Sequence, residues 1–154
     1  MEKKTKVHAE DGSQVVLVTR EFDLPVELVF KAHTDPGIVE QWMGTQVVEL
    51  ECRPHGGFRF ETTDPHGNKH LFSGVFHAVV PDKNITRTFE MENTNFPVQL
   101  EFLEFESLDA DTSKLTMRIV YKSTEDRDRM LQLPFAQGIN MAHNRIQEIV
   151  SKLI

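Results

Sequence analysis

The sequence predicts an α+β protein in which a curved antiparallel sheet closes over one long C-terminal helix. Phe135, Ile139, Ala142, Ile146, Ile149, Val150 and Leu153 recur at the three- and four-residue intervals of one helical face, so residues 135–154 read as an amphipathic helix. Between them Gln137, Asn140, Asn144, Arg145, Gln147, Glu148 and Lys152 supply the polar side. Upstream of about residue 122 the chain reads mainly as short β-branched and aromatic runs cut by Gly, Pro, Asn and Asp turns. The links between these runs are too short for parallel crossovers, which leaves antiparallel meander pairing.

Taken in order, residues 1–13 are polar and end in the turn-like Glu10-Asp11-Gly12-Ser13, which predicts a flexible arm or a short first strand ahead of a single domain over 14–154. Val15, Val16, Leu17, Val18 and Phe22 make residues 14–23 a strand. Residues 24–32 read as a helix, with Asp23 as cap, Pro25 in the first turn and Val26, Val29 and Phe30 on one face. A second short helix opens at Asp35-Pro36 and runs to Gln41 or Trp42. Strands follow over 47–52, 58–63, 69–80, 85–92, 98–108 and 114–123.

Alternation sets Phe58 beside Phe60, and Phe72 beside Phe76. It also groups Ile85, Arg87, Phe89 and Met91, and separately Leu115, Met117, Ile119 and Tyr121. The apolar phase slips between Phe102 and Leu103, which predicts a bulge there. Glu125-Asp126-Arg127-Asp128-Arg129 alternates in sign, the mark of a solvated helix start. Pro134 must break or kink the final helix near residue 133. Gly138, inside that helix, predicts a close backbone approach or room beneath the sheet.

Bulk properties narrow the function. A formal net charge of −7 with scattered basic residues argues against nucleic acid. No apolar run approaches the ~20 residues of a membrane span, and the basic N-terminus is followed by no apolar signal region. The single cysteine, Cys52, forms no intrachain disulfide, which fits a reducing compartment and a cytoplasmic setting.

The chemical motifs are weak. His66 and His70 are four apart but straddle a Pro-Gly-Asn turn, where that spacing does not converge on a metal as it would on a helix. Arg53 beside Cys52 lowers a thiol pKa in principle, yet a structural cysteine is the commoner outcome. No nucleophile elbow, Walker loop or dinucleotide fingerprint is present, so no catalytic residue, metal ligand or cofactor is assigned. Arg87 stands out among apolar strand neighbours: facing inward, it pairs with a ligand carboxylate or with Glu101 or Glu104. His77 and Tyr121 orient a ligand polar group if they too face inward. Eleven phenylalanines against one tyrosine and one tryptophan signify dry packing, and composition alone does not separate core from pocket.

Residues 20–32, Arg-Glu-Phe-Asp-Leu-Pro-Val-Glu-Leu-Val-Phe-Lys-Ala, resemble the opening of the family homologous to the C-terminal domain of the activator of the 90-kDa heat-shock chaperone ATPase. Thr34-Asp35-Pro36, Trp42-Met43-Gly44, Arg53-Pro54, Gly56-Gly57 and Asp64-Pro65-His66-Gly67-Asn68 continue the resemblance in order. Gly74, Pro81, Arg87-Thr88-Phe89-Glu90, Glu125-Asp126-Arg127-Asp128 and the closing helix complete it over roughly residues 15–153. Two places depart from the family pattern: Trp42-Met43-Gly44-Thr45 stands where Trp-Trp-Gly-Pro is frequent, and Leu133-Pro134-Phe135 where Ser-Gly-Met is.

The resemblance implies the helix-grip fold of the START-like (SRPBCC) superfamily: six or seven antiparallel strands, with two short helices after the first, gripping the C-terminal helix. It further implies an apolar cavity between sheet and helix for a small apolar or amphipathic molecule. The cavity-lining set expected here is Trp42, Phe60, Phe72, Phe76, Arg87, Phe89, Phe102, Met117, Phe135, Gly138 and Ile139. Non-enzymatic ligand binding is the leading expectation, by a monomer or weak homodimer. The alternatives are a co-chaperone-like module acting on a chaperone ATPase or in a stress response, and a polyketide cyclase or aromatase.

Overall fold

The computed structural model describes residues 3–153. Its strands are β1 (Lys6–His8), β2 (Val15–Phe22), β3 (Gln46–Leu50), β4 (Gly57–Thr63), β5 (Lys69–Val80), β6 (Asn84–Met91), β7 (Gln99–Ser107) and β8 (Ser113–Val120). Helices α1 (Val26–Thr34) and α2 (Pro36–Met43) lie between β2 and β3, and α3 (Thr124–Leu131) and α4 (Phe135–Ser151) follow β8. All strands join one antiparallel sheet in the order β1-β2-β8-β7-β6-β5-β4-β3. The sheet has one strand more than the upper expectation, because Lys6–His8 pairs with Leu17–Thr19 at the edge. The last residue of the expected final helix, Ile154, lies outside the described residues, as do Met1 and Glu2.

Local chemistry explains the helix boundaries. The Asp35 carboxylate accepts from the Gly37 and Ile38 N–H groups at 2.9 and 3.2 Å, Pro36 takes the first turn, and Gly44 ends α2 in the left-handed conformation at φ 62°. The Ser123 hydroxyl accepts from the Asp126 N–H at 3.1 Å to open α3. Pro134 sits at the head of α4, so the expected break falls between Leu131 and Phe135.

The core lies between the concave sheet face and the helices. Val16, Val18, Phe22, Leu103, Leu115 and Ile119 from the sheet meet Val29, Val39, Ile146 and Val150 from the helices, all essentially fully buried. Gly74 lets β5 pass over an aromatic row, since a Cβ there would stand 2.6 Å from the Phe58 ring and closer still to the Thr88 carbonyl.

Three expectations are corrected. The predicted bulge between Phe102 and Leu103 is absent: β7 keeps unbroken register with both neighbours, and the irregularities fall at Val47/Glu49 in β3 and Phe76/Ala78 in β5. The charged start of α3 is only partly solvated, because Arg127 is buried and donates to the carbonyls of Glu10 and Val15 at 2.6 and 3.3 Å. The polar side of α4 is likewise partly used. Arg20, buried on β2, donates to Asn144 at 2.8 Å and Asn140 at 3.3 Å, while Leu153 at the helix end is exposed.

Candidate functional site

A cavity of about 240 Å³ lies where β6, β7 and β8 face α2 and α4. Of the expected residues, Trp42, Arg87, Phe89, Met117, Phe135 and Ile139 line it together. Met43, Glu90, Met91, Phe96, Pro97, Gln99, Glu101, Ile119, Tyr121 and Met130 complete the wall. The β6–β7 connection supplies Phe96 and Pro97 and is held against α3. Arg129 stacks 5.0 Å from the Phe96 ring and donates to the Asn95 carbonyl at 2.7 Å.

Five expected residues lie elsewhere. Phe60 and Phe76 are buried beside Phe58 at ring separations of 5.0 and 5.4 Å and belong to the filled core. Phe72 stands behind the wall, 5.8 Å from Phe89. Phe102 faces the opposite side of the sheet, in a separate hollow of about 290 Å³ with Leu17, Glu104, Thr116 and Arg118. The phase of β7 is the reason: Glu101, Leu103 and Phe105 point inward, so Phe102 points out. Gly138 is on the solvent side of α4, and a Cβ there would meet nothing within 4 Å, so it neither permits a close approach nor makes room beneath the sheet.

Arg87 faces inward. Its Nε donates to Glu101 Oε1 at 2.9 Å, with the two side chains only 11% and 5% exposed, and Gln99 Nε2 donates to Glu101 Oε2 at 2.6 Å. The guanidinium lies 5.4 and 5.5 Å from the rings of Phe58 and Phe89. Of the pairings open to Arg87, the structure shows Glu101, its direct cross-strand neighbour. The internal pair satisfies the arginine's charge inside the protein.

Tyr121, just past β8, is 5% exposed, and its phenol oxygen is the one buried side-chain polar atom without a hydrogen-bond partner among the described residues. Burial, and then the Glu101 charge, push its pKa well above the usual phenol value, so it is an uncharged donor. Cys52 is pushed up to about 11 by burial against a smaller opposing effect of Arg87, which leaves a protonated thiol rather than a nucleophile. His77 is exposed, and His70 contacts Asp64 at 3.0 Å across the turn that sequence spacing pointed to.

Residues 23–151 match the family of Activator of Hsp90 ATPase homolog 1-like proteins. The chain belongs to this family. A comparison with curated proteins finds no match. Among solved structures it is similar to a Mycobacterium smegmatis protein, at 24% identity and TM-score 0.84 with 94% of each chain covered. It is also similar to a Rhodobacter sphaeroides protein, at 18% identity and TM-score 0.87, covering 97% of this chain and 99% of that one. A Nitrosomonas europaea protein aligns at 22% identity and TM-score 0.80, covering 93% and 97%. These likenesses show the helix-grip fold. Among the described residues no helix is long and apolar enough to cross a membrane.

The cavity lies between the sheet and the helices. In this chain that space has a largely apolar wall, one internally neutralised ion pair and one unpartnered phenol.

Proposed function

We propose that residues 14–154 form one START-like domain that binds a small hydrophobic or amphipathic molecule, without chemically transforming it, in the cavity between β6–β8 and helices α2 and α4. The observation that carries this reading is the cavity itself: about 240 Å³, walled by Trp42, Phe89, Met117, Phe135 and Ile139, between the sheet and the helices. That volume falls just under the ~300–1,000 Å³ of drug-sized pockets, which favours a compact ligand. The lone, half-buried Cys52 thiol supports a cytoplasmic setting.

Native mass spectrometry of freshly purified protein, repeated after organic extraction, tests occupancy directly, and an extractable mass shift is expected. Phe89→Leu loosens the wall and Ile139→Phe fills the space. A bound ligand indifferent to both substitutions would refute the cavity assignment.

The family's description favours a second reading, an interaction module acting on a chaperone ATPase, with a role in stress response. Co-purification of the folded chain with a chaperone ATPase, unaffected by Ile139→Phe, is the result that reading requires.

A further inference from the structure

Two features of the cavity restrict what it can hold. Four of the chain's six methionines, Met43, Met91, Met117 and Met130, converge on its wall. Thioethers are polarizable, make favourable contacts with aromatic rings and change rotamer easily, so a methionine-rich wall suits a flat ring and adapts to its substituents. The second feature is Tyr121, whose buried hydroxyl meets no partner among the described residues. A buried hydroxyl is ordinarily hydrogen-bonded, and the partner it lacks in the protein is one a ligand can supply.

Charge narrows the choice further. Glu101 accepts from the Arg87 Nε through one oxygen and from Gln99 through the other, so both carboxylate oxygens are engaged and the two charges offset each other within the wall. With this pair net neutral in an apolar wall, an ion of either sign would lose its hydration without gaining a net opposite charge. The direction in which Tyr121 is shifted, by burial first and by Glu101 second, agrees with a negative potential at the phenol.

We propose that the cavity selects an uncharged aromatic compound carrying one hydrogen-bond acceptor, with the acceptor at the Tyr121 hydroxyl and the ring among the four methionines. This rests on the cavity-binding reading above, and it assigns Tyr121 as the residue that sets ligand specificity.

Three probes of one size separate the possibilities: ethylbenzene, acetophenone and benzoate. Each is titrated into the 154-residue chain at pH 7 and followed by amide chemical shifts around β6–β8 and α4. Acetophenone is expected to bind roughly tenfold more tightly than ethylbenzene, the worth of one good hydrogen bond, and more tightly still than benzoate. Tyr121→Phe should erase the advantage over ethylbenzene while ethylbenzene binding persists. It should also leave thermal stability equal or higher, because no hydrogen bond within the protein is lost. Benzoate binding as well as acetophenone, or an acetophenone advantage that survives Tyr121→Phe, would overturn the specificity. Failure of all three probes to shift cavity resonances would overturn the cavity-binding reading with it.

Discussion

Acidification from pH 7 to pH 5 is expected to destabilise this protein, and two buried helical histidines set the amount. His33 on α1 lies among the Trp42 and Phe105 rings with Nδ1 2.8 Å from the Val29 carbonyl, and burial, partly offset by that contact, pushes its pKa down to about 4. His143 on α4 lies edge-on to Phe22 with Nδ1 2.7 Å from the Thr5 hydroxyl. Burial, then His33 and Arg20, push it down to about 3. Both are neutral in the native state, whereas their unfolded counterparts take up protons near pH 6.5. The unfolded state therefore binds more protons in this window, and stability falls as pH falls. Between pH 6.5 and 5 each histidine costs about 2 kcal/mol, so the pair costs about 4, a large part of the ~5–15 kcal/mol typical of a folded protein. Asp64 and Asp109, whose pKa values are held below 3.8, lose their contributions only at lower pH and do not enter this interval. Urea unfolding at the two pH values measures the effect, as a lower midpoint at pH 5 with an unchanged slope. His33→Gln and His143→Gln should each remove about half of the pH dependence. Equal midpoints at pH 5 and 7, or a double variant as pH-sensitive as the parent, would refute the reasoning.

Other perturbations test other parts of the structure. Gly74→Ala forces a Cβ against the Phe58 ring and the Thr88 carbonyl, and chemical denaturation should register a loss of about 1–3 kcal/mol. Arg87→Met strands the Glu101 carboxylate and should cost about 3–5 kcal/mol by the same assay, whereas exchanging both partners for apolar residues should recover much of it. Asp35→Ala removes the two contacts that open α2 and should cost about 1 kcal/mol, seen as a lower thermal midpoint.

Elements whose signals are local were legible in the sequence. The cap and proline at Asp35-Pro36, the β-branched run of β2 and the periodicity of α4 depend on residues a few positions apart, and the structure places all three close to their expected bounds. Six of the sixteen residues that line the cavity were among those expected, and Arg87, Phe89 and Met117 of these follow from strand alternation. What was missed depends on partners far along the chain. Two adjacent apolar residues, Phe102 and Leu103, suggested a bulge, and only pairing with β6 and β8 decides that Glu101 and Leu103 face inward. Reading β7 as an unbroken alternation from Glu101 through Phe105 would have placed Glu101 opposite Arg87. Arg127 looked like surface charge because its acceptors, the Glu10 and Val15 carbonyls, lie over 100 residues away in sequence.

The pairing of β2 with β8 has a consequence for how the chain is made. Phe22 sits opposite Ser113 and Val15 opposite Val120, so the second strand to be synthesised waits about 90 residues or more for its long partner. At ~5–20 residues per second that wait is roughly 5–20 seconds, during which Val16, Val18 and Phe22 have no sheet to enter. A nascent chain released before residue 113 therefore carries a hydrophobic strand with only the three-residue β1 to cover it, a template for aggregation. Refolding of the full chain should likewise be governed by closure of this large loop, as in other proteins of high contact order.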